Sequence, residues 1–173
     1  ANEFFVLSSE EVLRRGIPQE FLIPILPSPR YLRSDLIDSN ETGVPQIERQ
    51  AFLFSSNLSE EQIRKEYPPV WRYLQEGREQ GIPERYICRN RDPWYSQEKR
   101  AVAPFLCTYM GRSNRQRNSR PFRFILNRSR AIAGNVYLML YPKSWVKRRM
   151  MEDPCLVEAV WCAFNTIPIE SLL

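Results

Sequence analysis

The sequence predicts an α+β fold. Three observations lead there: short apolar runs bounded by turn residues, helix starts with matched capping pairs, and a late amphipathic stripe, all in mixed order. A length of 173 residues suits one domain with a real core, so a single domain over 1–173 is expected. Hydrophobic residues make up 43% and aromatics 12%, which excludes a disordered chain. No apolar run approaches the roughly 20 residues that span a bilayer, so no membrane partner is expected. The start, Ala-Asn-Glu-Phe-Phe, has neither an initiator Met nor the order of a signal peptide and reads as an internal piece of a longer chain.

Phe4-Phe5-Val6-Leu7 reads as a strand. Ser8 and Ser9 then offer N-caps to a short helix, with Glu11 three residues after Ser8 as a capping-box partner. Gly16 and Pro18 stop it. Residues 17–48 carry Pro18, Pro24, Pro27, Pro29 and Pro45, each of which removes a ladder donor. Long strands are therefore disfavoured there, and the segment reads as ordered wrapping with one exposed loop near 39–44. Ala51–Phe54 is a second strand. Ser59-Glu60-Glu61-Gln62 starts a helix, with Gln62 at the capping-box position and acids in the first turn. Pro68-Pro69 interrupts it, and a second helix from Pro69 or Val70 turns Val70, Trp71 and Leu74 inward and ends near Gly77 or Gly81.

Residues 86–88 read as extended, leading into Arg91-Asp92-Pro93-Trp94-Tyr95. Strands are expected over 103–109, 122–126 and 136–141, and alternation in the second puts Arg123 on one face and the aromatics on the other. The tail reads as two helices. The first covers about 144–151, with Lys147, Arg148 and Arg149 near its C-terminal end, where cations are favoured. Asp153 and Pro154 supply an N-cap and a first-turn proline for the second, whose Leu156, Val157, Val160, Trp161 and Phe164 form one apolar stripe.

Cys88, Cys107, Cys155 and Cys162 are spaced 19, 48 and 7 apart, with no C-x-x-C. They read as buried reduced thiols of a cytoplasmic protein rather than as a zinc site. The chain has no histidine, which removes any Ser-His or Cys-His catalytic pair. No Gly-rich loop precedes a helix, and Asp92 and Glu98 stand isolated, Asp92 as a turn acceptor before proline. No catalytic residue is assigned.

The charge is unevenly spread. Residues 85–150 hold sixteen Lys and Arg against two acids, a net of +14, while the flanks carry −5 and −4. A polyanion-binding surface is the natural reading, and a solvated basic face is the bland one. Between two strands, Arg112-Ser113-Asn114-Arg115-Gln116-Arg117-Asn118-Ser119-Arg120 collects Arg, Asn and Gln, which can pair bidentately with guanine and adenine edges. The same side chains bind phosphates without reading sequence. Arg112, Asn114, Arg115, Gln116, Arg117 and Arg120 are therefore candidate DNA contacts, although an exposed solvated hairpin has the same composition. Asn127-Arg128-Ser129-Arg130, the turn after the 122–126 strand, is similar in kind. Arg91, Lys99, Arg100, Arg123 and Lys143 complete the candidate set. Asn135 suits a turn cap as well as a DNA contact, and Trp94 and Tyr95 suit the core better than base stacking.

The segments 85–95, 108–112 and 121–142, with Asn2-Glu3-Phe4-Phe5 and the run 25–32, resemble the C-terminal target-recognition region of adenine-N6 DNA methyltransferases of bacterial restriction–modification systems. The resemblance covers nearly the whole chain. It implies a fold like the specificity domain of TaqI-type methyltransferases, an irregular, wrapped, mostly antiparallel β-structure with a C-terminal helical hairpin. It also implies that catalysis and the methyl donor, S-adenosylmethionine, belong to a separate domain of the parent chain. The catalytic tetrapeptide of that family, Asn-Pro-Pro-aromatic, is missing, and the nearest string is Tyr67-Pro68-Pro69-Val70. The expected partners are double-stranded DNA and the parent's own catalytic domain, with the chain a cytoplasmic monomer. Two other classes stay open: a single-strand or RNA-binding module stacking bases on Trp94, Tyr95, Tyr109 and Phe122, and a docking domain for an acidic protein.

Overall fold

A computed structural model describes residues 2–108 and 122–166. In chain order the first elements are α1 (Asn2–Phe5), β1 (Val6–Ser8), α2 (Ser9–Arg15), β2 (Leu22–Ile25), β3 (Leu36–Ile37) and β4 (Ala51–Phe54). They are followed by α3 (Glu60–Glu66), α4 (Pro68–Glu79), α5 (Tyr86–Arg89), β5 (Phe105–Cys107), β6 (Phe124–Asn127) and β7 (Leu138–Leu140). The helices α6 (Ser144–Glu152) and α7 (Cys155–Thr166) come last. The fold is α+β. The backbone groups into two compact units, Ala1–Leu26 with Arg49–Ala101, and Pro27–Glu48 with Val102–Leu173.

The first unit is built on an antiparallel sheet in the order β1-β4-β2. Central β4 alternates half-buried and buried residues, with Phe52 and Phe54 facing inward. Pro24 sits in β2, which among the described residues pairs only with β4, so the donor it lacks is not missed by a second neighbour there. The two capping boxes form as the sequence predicts: Ser8 with Glu11 opens α2, and Ser59 with Gln62 opens α3. Gly16 closes α2 in the left-handed conformation. Around the sheet packs an aromatic core in which Phe4 stacks on Tyr73 at 4.5 Å and Phe21 on Phe54 at 5.9 Å. Gly77, inside α4, faces this core. A Cβ there would lie 2.6 Å from Phe4 Cζ and 2.8 Å from Trp94 Cη2, so helix and rings meet only because the side chain is absent.

Two local expectations are corrected. Phe4 and Phe5 close a helical turn before the strand begins at Val6, because both rings insert on one side of the core whereas strand alternation would turn one outward. Residues 86–89 form a helical turn rather than an extended run, with Cys88 buried while Tyr86 and Ile87 stay exposed.

The second unit holds a sheet in the order β3-β6-β5-β7. β3 runs parallel to β6, with Leu36 opposite Leu126, and the other pairs are antiparallel. Interior strand β5 is buried at all three positions. Against it lies the α6–α7 hairpin. Asp153 Oδ1 accepts from Cys155 N at 3.0 Å, the predicted cap, and the stripe Leu156, Val157, Val160, Trp161 and Phe164 packs with Phe105, Leu126 and Met150. Trp161 Nε1 donates to the Phe124 carbonyl at 2.7 Å, which fixes α7 on β6. The cysteines divide: Cys88 and Cys107 are buried, whereas Cys155 and Cys162 lie exposed on α7, its outward face, correcting the expectation of four buried thiols. Among the described residues, no helix is long and apolar enough to cross a membrane.

Candidate nucleic-acid interface

Of the sequence-predicted contacts, Arg112, Asn114, Arg115, Gln116, Arg117 and Arg120 lie outside the described residues. The rest fall into two groups, one engaged within the chain and one exposed.

The engaged group centres on β6. Arg123 Nε donates to Asp35 Oδ1 at 2.7 Å, and its other nitrogens donate to the carbonyls of Pro29 at 3.2 Å and Leu32 at 3.1 Å. One guanidinium thus ties the proline-rich wrapping segment to the sheet, which uses the fork geometry that Arg alone provides. Asn127 and Ser129 are 5% and 6% exposed, so neither reaches a ligand from solvent. Asn127 Oδ1 accepts from Ser129 N at 3.1 Å and from Ser129 Oγ at 2.6 Å, while its Nδ2 donates to the carbonyls of Ala103 and Ala131. Ser129 Oγ in turn accepts from Ala131 N at 3.1 Å. The pair is a buried turn that satisfies its own polar groups.

The same turn presents its other two residues outward. Arg128 pairs with Glu158 of α7 and, at 3.4 Å, with Asp38. Arg130 is exposed with no carboxylate partner among the described residues, and its backbone N donates to Gly43 O at 2.8 Å. The arrangement Asn-Arg-Ser-Arg therefore has a structural reason for its alternation: the small polar residues build the turn and the arginines leave it.

Lys143 is exposed at the cap of α6. On the helix itself Lys147, Arg148 and Arg149 are exposed, beside Trp145 at 69% exposure, while Val146 and Met150 face the core. These three cations belong to the basic segment 85–150 and favour the C-terminal end of their helix, yet none stands among the sequence-predicted DNA contacts. Their exposure beside an outward Trp was legible in the spacing, since Trp145, Arg148 and Arg149 stand at i, i+3 and i+4.

In the first unit, Arg91 Nη1 donates to Gln97 Oε1 at 2.9 Å, and Lys99 and Arg100 are exposed. Asn135 is exposed before β7. Trp94 and Tyr95 are 9% and 0% exposed, packed at 5.4 Å, with Tyr95 Oη donating to the Leu58 carbonyl and Trp94 Nε1 to Glu60. Both are core residues, which leaves them no face on which to stack a base.

Sequence comparison places these features in a family. The chain matches the family described as Type II methyltransferase M.Eco57I, C-terminal domain, over residues 1–158. It is 24% identical over 114 residues to the Type II methyltransferase M.AccI of Acinetobacter calcoaceticus, a match covering 65% of this chain and 20% of that protein. The chain thus aligns with about a fifth of the length of that curated relative. No solved structure matches it significantly. With the family match spanning nearly all of both units, the chain belongs to the family of Type II methyltransferase C-terminal domains typified by M.Eco57I.

Proposed function

We propose that this chain is a target-recognition unit that binds double-stranded DNA sequence-specifically for an adenine-N6-specific methyltransferase, and that it is non-catalytic by itself. The carrying observation is the concentration of sixteen cations against two acids within residues 85–150. Arg130, Lys143, Lys147 and Arg148 offer phosphate contacts from the second unit, all exposed and without a carboxylate partner among the described residues. Arg, Asn and Gln of the 112–120 segment supply the donors and acceptors suited to base edges. The unit grips the backbone and reads the site while the parent's catalytic domain rotates the target adenine out of the stack.

The methyl donor, S-adenosylmethionine, belongs to that catalytic domain. The described residues do not fit it: Gly16 ends a helix, Gly43 lies in a turn, Gly77 is helical, Gly81 follows a helix and Gly134 lies in the loop before β7, so among the described glycines none forms a strand-to-helix cradle. The working context of this reading is a bacterial cytoplasm, with the chain a monomer attached to its catalytic partner domain.

Competition binding tests the proposal. Labelled duplex is bound to the full 173-residue chain and displaced with unlabelled duplex, single strands of the same sequence, or polyglutamate. Duplex is expected to displace best. Preference for single strands supports the stacking module instead, and displacement by polyglutamate alone supports a protein partner.

A further inference from the structure

The first unit carries twelve cations and twelve acids and is neutral as a whole. Its arginines are nonetheless not evenly dispersed. Arg14, Arg15 and Arg72 converge with Pro69, Tyr73 and Glu76 on one open concavity of about 490 Å³. Three positive side chains face one carboxylate there, in a part of the chain where overall charge predicts no anion affinity.

Arg15 is the fixed wall. Its Nη1 pairs with Glu76 Oε2 at 2.6 Å, its guanidinium lies 5.2 Å over the Tyr73 ring, and its Nε is buried with no hydrogen-bond partner. The guanidinium is therefore held in one orientation, with its Nε sealed from solvent and its outer nitrogens toward the cavity. Tyr73 is locked in turn by donating its hydroxyl to the Phe4 carbonyl. Arg14 and Arg72 stand exposed at the mouth, one at the end of α2 and one on the second turn of α4, neither paired with a carboxylate among the described residues. Glu76 neutralises one guanidinium and Glu11 lies within electrostatic reach of Arg14 and Arg15, so about one positive charge is left over, which matches the single negative charge of a backbone phosphodiester.

We propose that Arg14, Arg15 and Arg72 form a phosphate site in the first unit that takes a backbone phosphate of the bound duplex, separate from the basic segment 85–150. This rests on the duplex-binding reading above. Arg15, fixed by Glu76 and Tyr73, orients one oxygen, while Arg14 and Arg72 close on the others, the division of labour expected where guanidinium groups meet phosphate. Such a contact carries affinity and register but no sequence information.

The test measures duplex affinity of the full chain between about 50 and 200 mM salt for the wild type, Arg14→Gln, Arg72→Gln and the double variant, with Lys65→Gln as an exposed control in the same unit. The double variant is expected to bind every sequence about tenfold more weakly. The salt slope should shrink by roughly one, with each single variant in between and Lys65→Gln unchanged. Equal affinity and slope for wild type and double variant, with circular dichroism intact, overturns the site while leaving duplex binding standing. A wild type that binds no duplex overturns both. Polyglutamate binding lost in the double variant while duplex binding is kept assigns the cavity to an acidic protein segment and overturns the phosphate assignment.

Discussion

Gly43 takes a left-handed φ of +83°, and the Arg130 side chain lies directly across it: a Cβ at Gly43 would stand 2.5 Å from Arg130 Cδ. The backbones close the same contact, since Arg130 N donates to Gly43 O. Asn40 shapes the turn, its Oδ1 accepting from Thr42 N at 3.1 Å and Val44 N at 2.9 Å. A glycine in the wrapping loop thus decides where an exposed arginine of the proposed interface points.

Gly43→Ala is expected to cost about 1–2 kcal/mol from the positive φ alone, read as a lower urea midpoint, and to weaken duplex binding by displacing Arg130. Arg130→Ala is expected to weaken binding with stability unchanged. If the glycine acts through the arginine, the binding losses of the two substitutions will not add in the double variant.

Asn127→Ala is expected to act on the fold rather than on DNA recognition. The change strands the Ala103 and Ala131 carbonyls and the donors of Ser129 in a buried turn. Leaving such groups unpaired costs about 2–4 kcal/mol in total. Thermal unfolding checks it: a melting point equal to wild type contradicts a structural role for this side chain.

These residues show what the sequence can and cannot reveal. The capping boxes at Ser8 and Ser59, strand Ala51–Phe54 and the α7 stripe were legible because each signal lies within one turn or one strand of its effect. Phe4-Phe5 and residues 86–88 mislead because short apolar runs suit strand and helix alike, and packing decides between them. Asn127 and Arg123 resembled interface residues by composition. Their partners at Ala103, Asp35 and Pro29 are far away in sequence, so no local pattern announced their engagement. The Arg14, Arg15 and Arg72 cluster is hidden for the same reason, split between two helices of a unit with no net charge.

Arg128 bridges Glu158 and Asp38, so a phosphate approaching it competes with two carboxylates. All three groups are partly exposed, and pairs of this kind contribute little to stability. Glu158→Gln is therefore expected to leave folding intact, relieve Arg128 of one of its two carboxylates, and strengthen duplex binding with a steeper salt dependence. Arg128→Ala in the Glu158→Gln background should cancel that gain. Unchanged affinity in Glu158→Gln means that Arg128 lies off the DNA path.

Alkaline pH should destabilise the fold. Burial raises the Tyr95 phenol from 10.0 to about 12, lifts Tyr73 and Tyr137 above the ordinary tyrosine value, and pushes the Cys107 thiol up. Each group is neutral when folded and ionises more readily when unfolded. The stability they contribute is fully present below the ordinary values, at about pH 9. It is lost as pH rises from there through the raised folded values, which for Tyr95 means through about 12. The melting temperature is expected to hold level up to about pH 9 and then fall. A level profile through the tyrosine range would show that these hydroxyls reach solvent.

Arg115 and Arg117 lie near the middle of a nine-residue run, 112–120, that also holds Asn114, Gln116 and Asn118, side chains suited to base edges. If five to eight phosphates are held elsewhere on the unit, log K falls with log salt at a slope of roughly −4.5 to −7. Removing a base reader leaves that slope nearly unchanged. In the full-length methyltransferase, Arg115→Ala and Arg117→Ala are expected to cost roughly 1–3 kcal/mol on the correct site and much less on altered sites. Arg130→Ala, as a phosphate contact, should weaken all sites alike and lower the slope by about one. Measuring both affinity on a panel of single-base variants and the salt slope separates the two behaviours. If Arg115→Ala and Arg117→Ala change neither, with circular dichroism intact, the segment is a solvated hairpin and the base readers lie among other residues.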